Sequence, residues 1–317
     1  MSSSSSSYLS RVIKPPVSVY FHNFWDGFIE KTDAMDCSFF IKLLEKTYER
    51  QIHISSNPDN ADILVESIFG YMSYLEYKKW TATILFTGET HYCNNQNVDK
   101  YDCVLGFEET GGNFVKCPLY IIFLMSNPSI ISQINGTSDT SEISSSQNQI
   151  IPPNNASVII SNVHGGVRLA FLDHLEEKMK INYGGKYKNN VGQVVSGQFN
   201  SPEMTDFYKK GKFAITMENG DRPYYITEKI VNGFRSGVIP VYWGTSKITE
   251  YFNPRRFLHL KSASQDEMDH VVNTMVNMTN EEYRDIISEP ILARPINYVC
   301  EEILASVKKI LTSSPSS

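Results

Sequence analysis

Residues 212–244 read KFAITMENGDRPYYITEKIVNGFRSGVIPVYWG, and the alternation inside this stretch decides the fold. Lys212–Met217 (KFAITM) is short and apolar, the pattern of a buried strand. Thr227–Arg235 then places Ile230, Val231 and Phe234 at helical spacing behind a threonine that suits an N-cap. Gly237 closes the helix, and Val238–Trp243 (VIPVYW) resumes an apolar strand. Strand, helix and strand in this order make a βαβ unit with parallel strands. Between the first strand and the helix lies the densest polar run of the chain, Glu218–Lys229. It leaves the carboxyl end of a strand, where open α/β sheets bind their ligands. It turns at Gly220, Asp221 and Pro223, then enters a helix whose free amides suit a phosphate. The same residues also describe an ordinary capped helix start with surface ion pairs. Residue chemistry alone therefore stops at an anion-binding α/β protein.

The alternation continues outward. Val17–His22, Ile52–Ser55, Ile63–Glu66, Thr83–Thr87 and Cys103–Phe107 read as strands, with a helix over Cys37–Arg50. Ser157–Ser161 reads as another strand, Val167–Lys180 as a helix, and Ser201-Pro202 as an N-cap with proline in the first turn. Ile303, Leu304, Val307, Ile310 and Leu311 recur at helical spacing near the C-terminus, an amphipathic helix docked on the core. The expected organisation is a disordered lead-in over 1–16, an N-terminal lobe over 17–126 and a Ser/Asn-rich linker or loop over 127–156. A C-terminal lobe over 157–299 and a C-terminal helix and tail over 300–317 follow. The fold class is α/β, two Rossmann-like lobes with parallel sheets and a cleft between them.

Bulk properties narrow the class. A length of 317 residues calls for one large or two medium domains. A net charge of −6 argues against a nucleic-acid binder. Cys37, Cys93, Cys103, Cys117 and Cys300 form no CxxC pair, which favours scattered reduced thiols over a metal or disulfide framework. Met1 and the six serines after it have neither a basic segment nor an apolar run. No signal peptide and no transmembrane segment is expected, and a soluble cytoplasmic protein is. Asp33, Asp36 and Asp59 read as turn or cap residues. No Asp-x-Asp stands at a strand end, so no metal site is expected.

Residues 217–260, MENGDRPYYITEKIVNGFRSGVIPVYWGTSKITEYFNPRRFLHL, resemble the signature of glycosyltransferase family 10, the α-1,3/4-fucosyltransferases. The matching parts are Glu218-Asn219, then Tyr225-Ile226-Thr227-Glu228-Lys229, the Pro240–Gly244 strand end, and Asn253-Pro254-Arg255 before an apolar strand. The form is closer to the soluble bacterial members than to the membrane-anchored animal enzymes. Phe86-Thr87-Gly88-Glu89, Tyr101-Asp102 and Gly106-Phe107-Glu108 are similar to the family's N-lobe segment. Ser161-Asn162 and Val167-Arg168 are similar to the start of its donor lobe. The likeness runs from about Val17 to about His259. It departs at Met217, where the family has an aromatic residue, and at Gly220, where it has serine.

The resemblance implies a GT-B-like, inverting glycosyltransferase: an α-1,3-fucosyltransferase moving L-fucose from GDP-β-L-fucose to a hydroxyl of an oligosaccharide or glycan. It implies Glu89 as catalytic base and Arg168 and Lys229 as cations on the diphosphate. Asn219, Tyr225 and Glu228, with Glu218, Ser161 and Asn162, are implied as donor contacts. No cofactor is required beyond the GDP-fucose donor substrate, a divalent metal being at most stimulatory. The same fold with another nucleotide deoxysugar stays open, as does a non-catalytic sugar-nucleotide binder. The sequence sets no acceptor identity and no oligomeric state.

Overall fold

The computed structural model describes residues 16–71, 74–89, 98–107, 112–135, 150–161 and 165–312. Two all-parallel sheets organise the chain. The first contains β1 (Val17–His22), β2 (Ile52–Ile54), β3 (Ile63–Ser67), β4 (Ala82–Phe86), β5 (Cys103–Gly106) and β6 (Phe114–Lys116), in the order β2-β1-β3-β4-β5-β6. The second contains β7 (Ala156–Val158), β8 (Ile181–Tyr183), β9 (Phe213–Ile215), β10 (Ile239–Tyr242) and β11 (Leu258–His259), in the order β11-β10-β9-β7-β8. Every residue of β3 and β4 is buried, as central strands covered on both faces require. These are the two parallel-sheet α/β lobes expected from the alternation of strands and helices.

Each sheet has one place where the strand order reverses: between β1 and β3 in the first, between β7 and β9 in the second. Chains leaving the carboxyl ends of strands on either side of a reversal diverge, and the gap they leave is where such sheets hold ligands. The loops after β1, β3 and β4 and those after β7 and β9 therefore define the cleft.

Helix α1 (Ser38–Tyr48) buries Phe39, Phe40, Leu43 and Leu44. It packs against α9 (Ile296–Thr312), whose buried stripe is Ile296, Val299, Ile303 and Val307. The chain thus crosses back, and its final helix covers the N-terminal sheet near β5 and β6. Helices α2 (Leu119–Ser126) and α3 (Pro128–Ile134) pack against α6 (Glu228–Arg235) of the second lobe. The Tyr120 amide donates to the Ile226 carbonyl at 2.9 Å, a main-chain tie between lobes. Gly233 lets α6 lie close on its sheet. A Cβ there would stand 2.9 Å from Thr216 Cγ2 and 3.0 Å from Pro240 Cγ.

Several boundaries depart from expectation. The strand read over Ser157–Ser161 ends at Val158. The helix read to Lys180 ends at Glu176 as α4 (Gly166–Glu176), and β8 follows it. β8 has only three residues, too few for a periodicity to show. The stretch read as a linker from Asn127 is helical over Pro128–Ile134, and Leu119–Leu124, with every residue buried, has no apolar stripe to mark it as a helix. The rest of that linker, 136–149, and the lead-in 1–15 lie outside the described residues. Helix α5 (Pro202–Tyr208) starts as expected, the Ser201 hydroxyl accepting from the Met204 amide at 3.4 Å. Cys37, Cys103, Cys117 and Cys300 are free thiols, and Cys93 lies outside the described residues. No helix among the described residues is long and apolar enough to cross a membrane.

At the carboxyl ends of β1 and β3 a fully buried carboxylate, Glu66, accepts from the Tyr101 hydroxyl at 2.5 Å and lies 2.7 Å from His22 Nδ1. Glu66→Ala takes the acceptor from a buried phenol and is expected to lower unfolding free energy by about 2–3 kcal/mol. Urea denaturation checks this; an unchanged midpoint would show that the network carries no net stability.

Candidate active site

A cleft of about 660 Å³ opens between the lobes. Its N-terminal wall comes from the loops after β1, β3 and β4, with Trp25, Phe69 and Glu89 facing the opening. Its C-terminal wall comes from Ile159–Ser161 after β7, Arg168 on α4, Asn219 after β9, and Tyr225 and Thr227–Lys229 at the start of α6. The three residues by which β7 falls short of its expected length are those that reach the cleft.

The start of α6 is built around a buried carboxylate. Glu218 has no exposed surface, and its amide is fixed to the Trp243 carbonyl at 2.8 Å. One carboxylate oxygen accepts from the Thr227 amide and the other from the Thr227 hydroxyl, both at 2.8 Å. Thr227 is the N-cap, its oxygen accepting from the Lys229 amide at 3.4 Å. The Lys229 ammonium donates to the Thr227 oxygen at 3.0 Å and to Glu218 at 3.3 Å, with Glu228 at 3.8 Å. Gly244 makes room for this arrangement, because a Cβ there would press on Glu218 Cγ at 3.0 Å and the Tyr242 hydroxyl at 2.6 Å. The left-handed residue of the preceding loop is Tyr224 (φ 58°), its ring capped by the Lys116 ammonium 4.2 Å from the centroid.

Arg168 is 2% exposed yet lines the cleft, and its Nη1 donates to Asn219 Oδ1 at 3.0 Å. Burial lowers its pKa, with Glu218 acting in the opposite direction; a guanidinium stays charged nonetheless. The Tyr225 hydroxyl reaches across the cleft and donates to Glu89 Oε2 at 3.4 Å. Its ring packs edge-on against Phe107, with centroids 4.9 Å apart. Burial, and then the charges of Glu218, Glu89 and Glu228, push the Tyr225 phenol far above its usual range, so it stays a neutral donor.

Burial holds the Glu218 carboxyl above its usual range, partly offset by Lys229. Burial works against the charge on Lys229, but Glu228 and Glu218 outweigh it, and the ammonium titrates above its ordinary 10.5. A raised folded value means that this contribution to stability is whole below about pH 10.5 and is lost as pH rises through the folded value. Lys229→Met is expected to remove that alkaline loss. Thermal melts between about pH 9 and about pH 12 check it. Wild-type and variant curves that fall in parallel would contradict it.

Of the residues singled out from sequence, Glu89, Ser161, Arg168, Asn219, Tyr225, Glu228 and Lys229 meet at this one cleft. Glu218 does not line it; it lies beneath, bonded to Thr227 and Lys229. Asn162 and Glu108 fall outside the described residues. Asp33 and Asp36 are turn acceptors, taking the Met35 and Ser38 amides two residues on at 3.0 and 2.7 Å; the N-cap of α1 is Cys37, and Asp33 also lines the cleft. Trp25, Asp26, Phe69 and Phe199 line the same opening without a signal in the sequence. They lie in loops, where no periodicity marks a residue. Among the described residues no group of three or more His, Cys, Asp or Glu is placed to hold a metal ion.

Residues 153–286 match the model of glycosyltransferase family 10 (fucosyltransferase), C-terminal part. The matched stretch contains β7 to β11 and all of the C-terminal wall. The α-(1,3)-fucosyltransferase FucT of Helicobacter pylori is 23% identical over 280 residues, which cover 78% of this chain and 54% of that protein's own length. A crystal structure of an α1,3-fucosyltransferase superposes with a TM-score of 0.72 at 22% identity, covering 98% of this chain and 94% of the other. A crystal structure of an α1,3-fucosyltransferase with GDP-fucose gives 0.70 at 20% identity, with the same coverage. At such identities the structural likeness establishes the two-lobed fold, and the stretch similar to family 10 falls in its second lobe.

Proposed function

We propose that the protein is an inverting α-1,3-fucosyltransferase that takes GDP-β-L-fucose as donor and a hydroxyl of an oligosaccharide or glycan as acceptor. One observation carries the reading: a carboxylate, Glu89, faces a cationic pair, Arg168 and Lys229, across a cleft of a size suited to a nucleotide sugar. The match to family 10 and the GDP-fucose bound by a protein of the same fold support the choice of donor.

The reaction needs a base at the acceptor and positive charge at the leaving group. Glu89 accepts the proton of the attacking hydroxyl as its oxygen bonds to the anomeric carbon. The bond from that carbon to the diphosphate oxygen breaks from the opposite face, and its electron pair leaves with GDP. Arg168 and Lys229 neutralise the charge that develops there. Arginine pairs two phosphate oxygens at once, whereas the ammonium acts as a point charge held in place by Glu218 and Thr227. Glu218 is thus a positioning residue, in contact with Lys229 rather than with donor. Asn219, Glu228, Ser161 and Asn162 orient nucleotide and sugar. The neutral Tyr225 phenol donates to Glu89 and holds the carboxylate in place to receive that proton.

Thermal shift against GDP-fucose, GDP-mannose, UDP-sugars and free nucleotides tests the donor. A ligand at a hundredfold excess over Kd stabilises by about 2.7 kcal/mol. GDP-fucose is expected to give the largest shift. A uridine nucleotide that stabilises where guanine nucleotides do not would sink the assignment.

A further inference from the structure

The half of the cleft opposite Arg168 and Lys229 has its own chemistry. Trp25, Phe69 and Phe199 line it, and the latter two are 42% and 48% exposed, unusual for large apolar side chains. The Trp25 ring is held rigidly. Its Nε1 donates to the Met35 carbonyl at 3.0 Å, and it packs edge-on against Phe28 and Phe69 at 5.0 and 5.7 Å. Phe199 reaches the same opening from the other lobe and is bracketed by two bonds across the lobes. Gln198 Nε2 donates to the Thr32 carbonyl at 2.7 Å, and Asn200 Nδ2 to Asn127 Oδ1 at 2.7 Å. Beside these rings stand the carboxylates of Asp26 and Asp33. The cations among the described lining residues, Arg168 and Lys229, both belong to the C-terminal wall.

We propose that Trp25, Phe69 and Phe199, with Asp26 and Asp33, form the acceptor subsite, and that it takes a neutral saccharide with an apolar ring face. The inference rests on the transferase reading and adds the class of acceptor. A pyranose offers a face of C–H groups to a ring and a rim of hydroxyls to carboxylates, which is the combination present here. Pre-set rings lose little freedom on binding, so the subsite contributes affinity that a mobile loop would not. Three carboxylates on this side, Asp26, Asp33 and Glu89, repel an acidic sugar, so sialylated or sulfated glycans are disfavoured. The platform adjoins Glu89 in one cavity, which brings a bound sugar hydroxyl to the base.

The test uses the full chain in the presence of GDP, with N-acetyllactosamine, chitobiose and xylobiose as neutral probes and 3′-sialyl-N-acetyllactosamine as the acidic one. Saturation-transfer NMR gives glycan affinity, and titration calorimetry gives GDP affinity. At least one neutral probe should bind, with affinity reduced about tenfold or more in both Trp25→Ala and Phe199→Ala, while the Kd for GDP stays within about twofold. The sialylated probe should bind more weakly, and Asp26→Asn should narrow that gap. Phe199 is half exposed, so its variant keeps the test sound if Trp25→Ala fails to fold. Neutral binding that is unchanged in Phe199→Ala, the absence of any neutral binding, or a loss of GDP affinity alone in that variant would overturn the proposal. Failure of the transferase reading looks different: neutral glycans would bind at the platform while GDP-fucose is neither bound nor consumed.

Discussion

Glu89→Gln is expected to lower transfer by about 10²- to 10⁴-fold while leaving the Kd for GDP within about twofold. Glutamine keeps the shape of the side chain and its carbonyl oxygen still accepts from the Tyr225 hydroxyl, which now stands 3.4 Å from the carboxylate. What it loses is the capacity to take a proton. The acceptor hydroxyl would then attack without a base, and the loss should fall on kcat rather than on donor affinity. Steady-state kinetics on acceptor, with calorimetry for GDP, separates the two. A variant that keeps wild-type turnover removes Glu89 from the base role. One that loses GDP affinity instead places it on the donor.

Arg168→Ala should have the converse profile. The guanidinium is 2% exposed, bonded to Asn219 at 3.0 Å, and faces the cleft. Truncating a buried charge that pairs with a ligand phosphate typically costs about 2–5 kcal/mol, so the Kd for GDP should rise from about 30-fold to several thousandfold. Arg168→Lys is expected to recover little, because an ammonium cannot pair two phosphate oxygens at once. A Kd unchanged in Arg168→Ala would move the diphosphate away from α4.

One stretch of the C-terminal wall was legible in the sequence because its parts are contiguous. Glu218 to Lys229 sits between a strand and a helix whose periodicities are strong, and Thr227 caps that helix as its position suggests. Arg168 and Glu89 could be named only through the family likeness, since an arginine in a helix and a glutamate after a glycine carry no pattern of their own. Two things were hidden. Glu218 has the composition of a ligand contact, but its burial and its bonds to Thr227 make it a support for Lys229. That follows from the close approach of Gly244, which no local pattern announces. The aromatic wall was invisible for another reason. Trp25, Phe69 and Phe199 are separated by 44 and 130 residues, and only the crossing of the loops after β1 and β3 with the loop before α5 brings them together. The strand order was likewise unreadable, because every strand is short and parallel pairing leaves no turn signature.

The reaction proposed for this cleft breaks the fucose–diphosphate bond of GDP-β-L-fucose with inversion. Proton NMR of the donor incubated with the full chain and a neutral glycan follows the anomeric signal directly. The β-linked donor signal is expected to disappear and α-linked fucose to appear first, on the acceptor or as free α-fucose from water, with matching release of GDP. A donor that stays intact, or a product that first appears in the β configuration, would contradict it.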